Sequence, residues 1–283
     1  MKELFDQVSL KCSQNITQHY STSFSFSSRL LPPVQRDAIH AIYGFVRVAD
    51  EIVDSFHGYP QDRLFDRFTE DLDLALQLGI STNPVLHAFQ STVARYRIPR
   101  ELIDAFMASM RLDLNKKVYR TKEEYQKYIY GSADVVGLMC LKVFVNGRDD
   151  QYEALKAPAM RLGSAFQKVN FLRDLQNDLG VLDRSYFPQV DFRNLTPEAL
   201  QDILRDIEED FGEAFRGIRS LPKKSRLGVY VAYVYYMKLF SLLRSQHPDR
   251  ILETRLRIGN PEKLWIMFKS VLRHTTGRMK SYA

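Results

Sequence analysis

Apolar residues recur at three- and four-residue spacing along nearly the whole chain, and that period commits it to helices. The pattern predicts helices over Leu4 to His19, Val34 to Phe56, Gln61 to Leu78, Pro84 to Tyr96, Arg100 to Leu114, Lys122 to Val145, Asp149 to Leu179, Pro197 to Ile218, Lys224 to Ser245 and Pro261 to Leu272. Prolines such as Pro33, Pro84 and Pro197 stand near the starts, where a missing N–H costs nothing, and Gly79, Gly147 and Gly180 stand near the ends. Strand-like alternation is scarce, and no repeat of fixed period is present. The breaks are short, and the longest irregular segment, Gly180 to Leu195, lacks linker composition. The expectation is an all-α protein whose residues 1–283 form a single domain.

With 45% hydrophobic and 26% charged residues, the composition is that of a folded body with a sizeable core. The most apolar stretch, Leu227 to Leu243, is interrupted by Lys238 and tyrosines, so no spanning helix is expected. Two cysteines, Cys12 and Cys140, give neither a disulfide framework nor a zinc pattern. The N-terminus lacks the apolar core and cleavage site of a secretory signal, so a cytoplasmic location is expected. A net charge of +6 suits nucleic acid, a phosphorylated substrate or an anionic membrane. The 40 Lys and Arg are interleaved with acids rather than gathered in a stripe, which argues against nucleic acid.

Chemistry concentrates in two helical stripes. Tyr43, Arg47, Asp50 and Asp54 follow each other at spacings of four, three and four, so they share one face. Gln167, Asn170, Asp174 and Asp178 repeat the device at three, four and four. An acidic pair at i,i+4 repels itself by about 0.2–0.5 kcal/mol on an exposed helix. Either the pair is a solvated face, or a cation offsets the repulsion. Magnesium takes one or two carboxylates and completes its octahedron with water and phosphate oxygens, so two such walls facing each other would suit a diphosphate. Arg47 and Arg173 beside the pairs fit phosphate forks or ordinary intrahelical ion pairs. Gly131, Ser132, Ala133 and Gly137 thin another helix, for close packing or to make room for a ligand chain. Ser21 and Ser23 precede a helix, suited to capping it or to touching phosphate.

Taken in order, these segments resemble the squalene/phytoene synthase family from about Ser21 to Pro188. Asp50-Glu51-Ile52-Val53-Asp54 resembles its first aspartate-rich motif, and Asn170-Phe171-Leu172-Arg173-Asp174-Leu175-Gln176-Asn177-Asp178 its second. Between them, Tyr128-Ile129-Tyr130-Gly131-Ser132-Ala133 and Val136-Gly137 are similar to its Tyr-rich, small-residue segment. Leu162-Gly163 with Gln167 leads into the second motif, and Arg184-x-Tyr186-x-Pro188 follows. Two departures stand out: Asp134, where the family usually has a small residue, and the segment Gly180 to Asp183.

The resemblance implies an all-α isoprenoid-synthase fold with a central cavity, and head-to-head condensation of two prenyl diphosphates through a cyclopropyl diphosphate. It implies magnesium, or manganese, on Asp50, Asp54, Asn170, Asp174 and Asp178. Ser21, Ser23, Arg47, Gln167 and Arg173 would address phosphates, and Tyr43 and Tyr128 would orient their oxygens. Phe24, Phe26, Val135, Val136, Leu138 and Phe166 would line the prenyl pocket beside Gly137. Closest to bacterial phytoene synthases in its head segment and length, the chain is expected to make phytoene from geranylgeranyl diphosphate without a nicotinamide. Squalene or dehydrosqualene synthesis from farnesyl diphosphate is the alternative, and a non-catalytic helical assembly factor the reading from another class. Greasy substrates and positive charge together predict peripheral association with the inner membrane surface. No sequence feature sets an oligomeric state, and no role follows for the basic residues Arg255, Arg257 and Lys263.

Overall fold

The computed structural model describes residues 1–116, 118–180, 186–188, 190 and 195–281, with the side chains of 177–180 outside the description. Among these described residues, thirteen α-helices run in the order α1 (Lys2–Tyr20), α2 (Thr22–Ser28), α3 (Pro33–Asp54), α4 (Gln61–Leu78), α5 (Pro84–Tyr96), α6 (Arg100–Asp113), α7 (Lys122–Ile129), α8 (Val135–Phe144), α9 (Asp149–Gly180), α10 (Pro197–Ser220), α11 (Lys223–Arg244), α12 (Pro248–Glu253) and α13 (Asn260–Thr275). No strand element occurs among the described residues. The helical period therefore places most of the elements.

Two departures bear on function. The helix expected to run unbroken over Lys122 to Val145 contains a π-helical segment, Tyr130–Asp134, between α7 and α8. A π-turn inserts one extra residue into the helical ladder and rotates everything after it. The second departure is the short α2, too brief to show a period. It starts where Ser21, extended at φ −143°, accepts a hydrogen bond from the Phe24 N–H at 3.3 Å. Of the two readings of Ser21, capping is the one observed.

Helix α3 carries the core on one stripe. Ile39, Ile42, Phe45, Ala49, Ile52 and Val53 are buried, and the Phe45 ring lies 3.9 Å from that of Phe89 on α5. Burying such a ring contributes roughly 1.5–3 kcal/mol. The opposite stripe of α3 faces α9 across open space, and the two helices have no extended interface of their own. Helices α8, α10 and α11 close the ring around that space.

Approach between α8 and α9 is set by two glycines. A Cβ on Gly137 would lie 2.9 Å from the Ala159 carbonyl oxygen, and one on Gly163 would lie 2.7 Å from that of Ala133. Neither oxygen can move without breaking a helix, so any side chain there would wedge the wall apart. Close packing thus explains Gly137, although its backbone also borders the cavity. Pro158, inside α9, cannot donate to the Ala154 carbonyl, and its ring lies against Gly217 of α10. No helix among the described residues is long and apolar enough to cross a membrane.

Candidate functional site

The space between α3 and α9 has two compartments that share a wall. The outer chamber, about 990 Å³, is polar and includes Ser21, Ser23, Phe24, Tyr43, Arg47, Asp50, Asp54, Tyr128, Gln167, Asn170, Arg173 and Asp174 in its lining. The inner tunnel, about 300 Å³, is bordered by Leu31, Val136, Cys140, Phe144, Leu155 and Leu221. Phe24, Tyr43, Val46, Phe166, Gln167, Asn170, Ala232 and Tyr236 border both. At this waist the rings of Phe166 and Tyr236 stack at 3.8 Å, and those of Phe24 and Tyr43 at 5.0 Å. From Asn170 down to Leu155, α9 rises about 22 Å, which gives the apolar compartment a long axis.

The structure thus gathers into one chamber the residues expected from the two stripes, with one exception. The Asp178 side chain lies outside the described residues, as does Arg184. Val136 borders the tunnel as expected, together with Phe24 and Phe166. Val135 and Leu138 do not: both are fully buried in the core, because the π-turn ahead of α8 points them away from the cavity. Phe26 also misses the cavity and packs on the core with the Arg29 guanidinium 5.3 Å above its ring.

Electrostatics separate the two walls. On α3, Asp50 sits low in the chamber with Asp54 one turn away. Burial pushes the Asp50 carboxyl up to about 7, the Asp54 charge adds to the rise, Arg47 opposes it, and Asp113 adds more negative charge. Arg47 donates to Asp50 Oδ2 at 2.6 Å and also pairs with Glu51, while its guanidinium lies 4.4 Å from the Tyr20 ring centroid. The intrahelical ion pair is therefore the arrangement observed for Arg47. Tyr43, hydrogen-bonded to Ser21, is pushed up to about 12 by burial and stays a neutral donor.

On α9, Asp174 has cations on both sides. Arg173 donates through Nε to Oδ1 at 3.0 Å and through Nη2 to Oδ2 at 2.5 Å, and Arg255 Nε reaches Oδ1 at 2.7 Å. Asn170 Oδ1 accepts from the Tyr236 hydroxyl at 3.3 Å.

Sequence reasoning missed several members of this chamber. Asp113, at the end of α6, accepts from Tyr128 at 2.8 Å and from Tyr119 at 3.4 Å. Tyr128, expected to orient phosphate, thus donates its hydrogen bond to a carboxylate and stacks within the aromatic group of Tyr119, Tyr186 and Phe171. No helical spacing signals this, since both partners lie beyond the end of α6. Arg255, Arg257 and Lys263 line the mouth. Their crowding against few acids was the available signal. Deep in the wall, Ser28 and His40 Nε2 lie 2.9 Å apart, and burial holds the imidazole down to about 4, hence neutral.

Among the described residues no three carboxylate, imidazole or thiolate groups converge on one point. A cation here would take one or two carboxylates and complete its shell with phosphate oxygens and water, as magnesium does. The residues fit such an ion: Asp50 and Asp54 carry negative charge that Arg47 offsets only in part, and all three face the same chamber.

Residues 17–262 match the family model described as squalene/phytoene synthase. A 15-cis-phytoene synthase from Synechocystis sp. is 28% identical over 299 residues, covering 89% of this chain and 81% of that protein. A phytoene synthase from Rhodobacter capsulatus is 29% identical over 282 residues, covering 92% and 80%. The crystal structure of a dehydrosqualene synthase in complex with ligand superimposes with a TM-score of 0.84 at 19% identity, over 96% of this chain and 98% of the other, and shows the shared all-α fold.

Proposed function

Because the chain belongs to the squalene/phytoene synthase family, whose members are prenyltransferases that use prenyl diphosphates, we propose that it condenses two geranylgeranyl diphosphates head to head into phytoene. The observation that carries this reading is the junction of a polar, two-walled chamber with an apolar tunnel. A prenyl diphosphate has the same two halves. Residues 1–283 act as one catalytic domain.

The diphosphate would lie between α3 and α9, with magnesium held by Asp50 and Asp54 on one side and by Asn170, Asp174 and Asp178 on the other. When bound, the metal supplies Lewis-acid charge that stabilises the departing diphosphate. Arg47 and Arg173 exchange their present carboxylate partners for phosphate oxygens, an exchange of one charge-assisted hydrogen bond for another. Ser21, Ser23 and Gln167 add neutral donors, and Tyr43, protonated well past neutral pH, donates without titrating. Tyr128, hydrogen-bonded to Asp113, lines the chamber.

The prenyl tails take the tunnel, where Val136, Leu141, Phe144 and Leu155 exclude water from the carbocations. Phe24, Phe166 and Tyr236 at the waist offer aromatic faces where positive charge develops. His40, neutral beside Ser28, adds no charge to that wall. Peripheral association with a membrane would deliver such substrates and accept the product.

The test is incubation of the purified protein with magnesium and either farnesyl or geranylgeranyl diphosphate, without nicotinamide, followed by mass identification of the hydrocarbon. A forty-carbon product, lost in Asp50→Ala, is expected. A thirty-carbon product moves the protein to squalene or dehydrosqualene synthesis, and absence of diphosphate release from either substrate points to a non-catalytic family member.

A further inference from the structure

Helix α13 has two apolar stripes where the fold needs one. The inner stripe, with Ile266 and Ser270 buried, packs on α11 and α2. Leu264, Trp265, Phe268 and Leu272 lie within about 100° of one another on the outer face, with exposures between 47% and 61%. Trp265 and Phe268 stack on each other at 5.9 Å, and both stay largely exposed among the described residues. The stripe extends about 12 Å along the helix.

Charge is distributed with the same bias. Between residues 254 and 281 the chain has seven Lys or Arg and one acid, Glu262, which pairs with Lys238 at 3.0 Å. The rest of the protein carries 33 Lys and Arg against 33 Asp and Glu, so the whole net charge of +6 resides in this segment. Exposed aromatic and leucine side chains flanked by Lys269 and other cations are the composition of a helix that lies in a lipid interface. Tryptophan in particular prefers the headgroup level.

Position supplies a third argument. Asn260 and Lys263, in the first turn of α13, line the polar chamber, and Lys263 Nζ donates to Thr22 Oγ1 at 2.5 Å across its rim. The outer stripe therefore begins at the mouth of the cavity. We propose that α13 docks this protein on an anionic bilayer, with Leu264, Trp265, Phe268 and Leu272 at the boundary between headgroups and acyl chains. Docked in this way, the mouth opens beside the lipid that dissolves prenyl chains and the hydrocarbon product. The biological use of this surface rests on the proposed function; the docking itself is measured apart from it.

Trp265 is the only tryptophan of the chain, so its emission reports on this face alone. The full protein is mixed with vesicles of phosphatidylcholine, or of phosphatidylcholine with about one third phosphatidylglycerol, and emission and flotation are followed. With anionic vesicles the emission is expected to move to the blue and the protein to float. Exchanging two exposed apolar side chains of the stripe for charges, Phe268→Asp with Leu272→Asp, should weaken binding by more than about tenfold. Salt near 1 M, where the screening length falls to about 3 Å, should weaken binding of the unmodified protein.

Absence of a shift with anionic vesicles overturns the proposal, as does undiminished flotation of the double variant. Equal flotation on uncharged vesicles overturns its electrostatic half. Emission already blue without lipid, and dependent on protein concentration, assigns the face to a second copy of the chain instead. Both substituted side chains are exposed and outside the chamber, so the double variant should still release diphosphate from detergent-dispersed substrate. A protein that floats but releases none refutes the proposed reaction and leaves the docking surface standing.

Discussion

Asp50 on α3 and Asp174 on α9 face the same chamber, yet the balance of charge around them differs. Asp50 has Asp54 one turn on and Asp113 near by, with a single guanidinium shared between itself and Glu51. Asp174 is gripped by Arg173 from its own helix and by Arg255 from the segment ahead of α13. Asp50 sits in surplus negative charge, and the Asp174 carboxylate is balanced within the protein. A divalent cation gains more at the first wall, where it relieves repulsion, than at the second, where it must displace a guanidinium. On the proposed reading the asymmetry would give the walls unequal parts: α3 would hold metal more strongly, and α9 would share its carboxylate between metal and the arginines that meet phosphate.

The largest effect that would break this assignment is on turnover. Asp50→Asn keeps the shape and removes the charge, and is expected to lower kcat/KM by about 10²–10³-fold, the usual cost of losing one electrostatic contact to a transition state. Asp174→Asn should cost less at saturating magnesium, because Arg173 and Arg255 are still present to meet phosphate. Magnesium titrations of the initial rate separate the two. The requirement for magnesium should rise further in Asp50→Asn than in Asp174→Asn, and the reverse order would dissolve the distinction between the walls.

The two acidic stripes were legible because the helical period projects i, i+4 and i+7 onto one face, whatever the rest of the molecule does. Tyr43, Arg47, Asp50 and Asp54 needed only local arithmetic, and so did Gln167, Asn170 and Asp174. Asp113 and Arg255 were not legible, because their meaning depends on contacts that no helical period predicts: Asp113 on Tyr119 and Tyr128 beyond the end of its own helix, and Arg255 on a helix some eighty residues earlier. The π-turn at Tyr130–Asp134 was hidden for a related reason. Apolar residues continue through it, and the one-residue slip that takes Val135 and Leu138 out of the cavity leaves no mark on composition.

Burial and like-charge repulsion act together at Asp50, and Asp134 separates them. Asp134 is buried with no second aspartate one turn away, accepts from Ser164 Oγ at 2.7 Å, and is pushed up to about 6, chiefly by burial. Its folded-state value lies above the unfolded 3.8, so the folded protein keeps a proton that the unfolded chain has released. Stability from this group is fully present below about pH 4 and is lost as pH rises through about 6. The span amounts to at most about 3 kcal/mol. Asp134→Asn can still accept from Ser164 and has nothing to titrate. Urea unfolding near pH 4.5 and pH 7.5 should show the variant gaining on the parent at the higher pH, and parallel curves would show that burial costs this carboxylate nothing.

The smallest effect is the sharpest on sign. Without metal, in excess chelator, Asp50→Asn removes a repulsion and should raise stability by at least about 0.5 kcal/mol. Arg255→Gln instead removes an attraction at the other wall. Arg255 is about half exposed, so its bond to Asp174 contributes less than about 1 kcal/mol, and stability should fall by no more than that. Magnesium should then reverse the order of the two variants, because Arg255→Gln leaves Asp174 with one competitor fewer for the ion, while Asp50→Asn leaves the first wall with one ligand fewer. Thermal unfolding with and without magnesium reads both signs in one experiment. If the two variants move together, the walls are electrostatically alike, and the balance drawn by Arg173 and Arg255 around Asp174 has no thermodynamic weight.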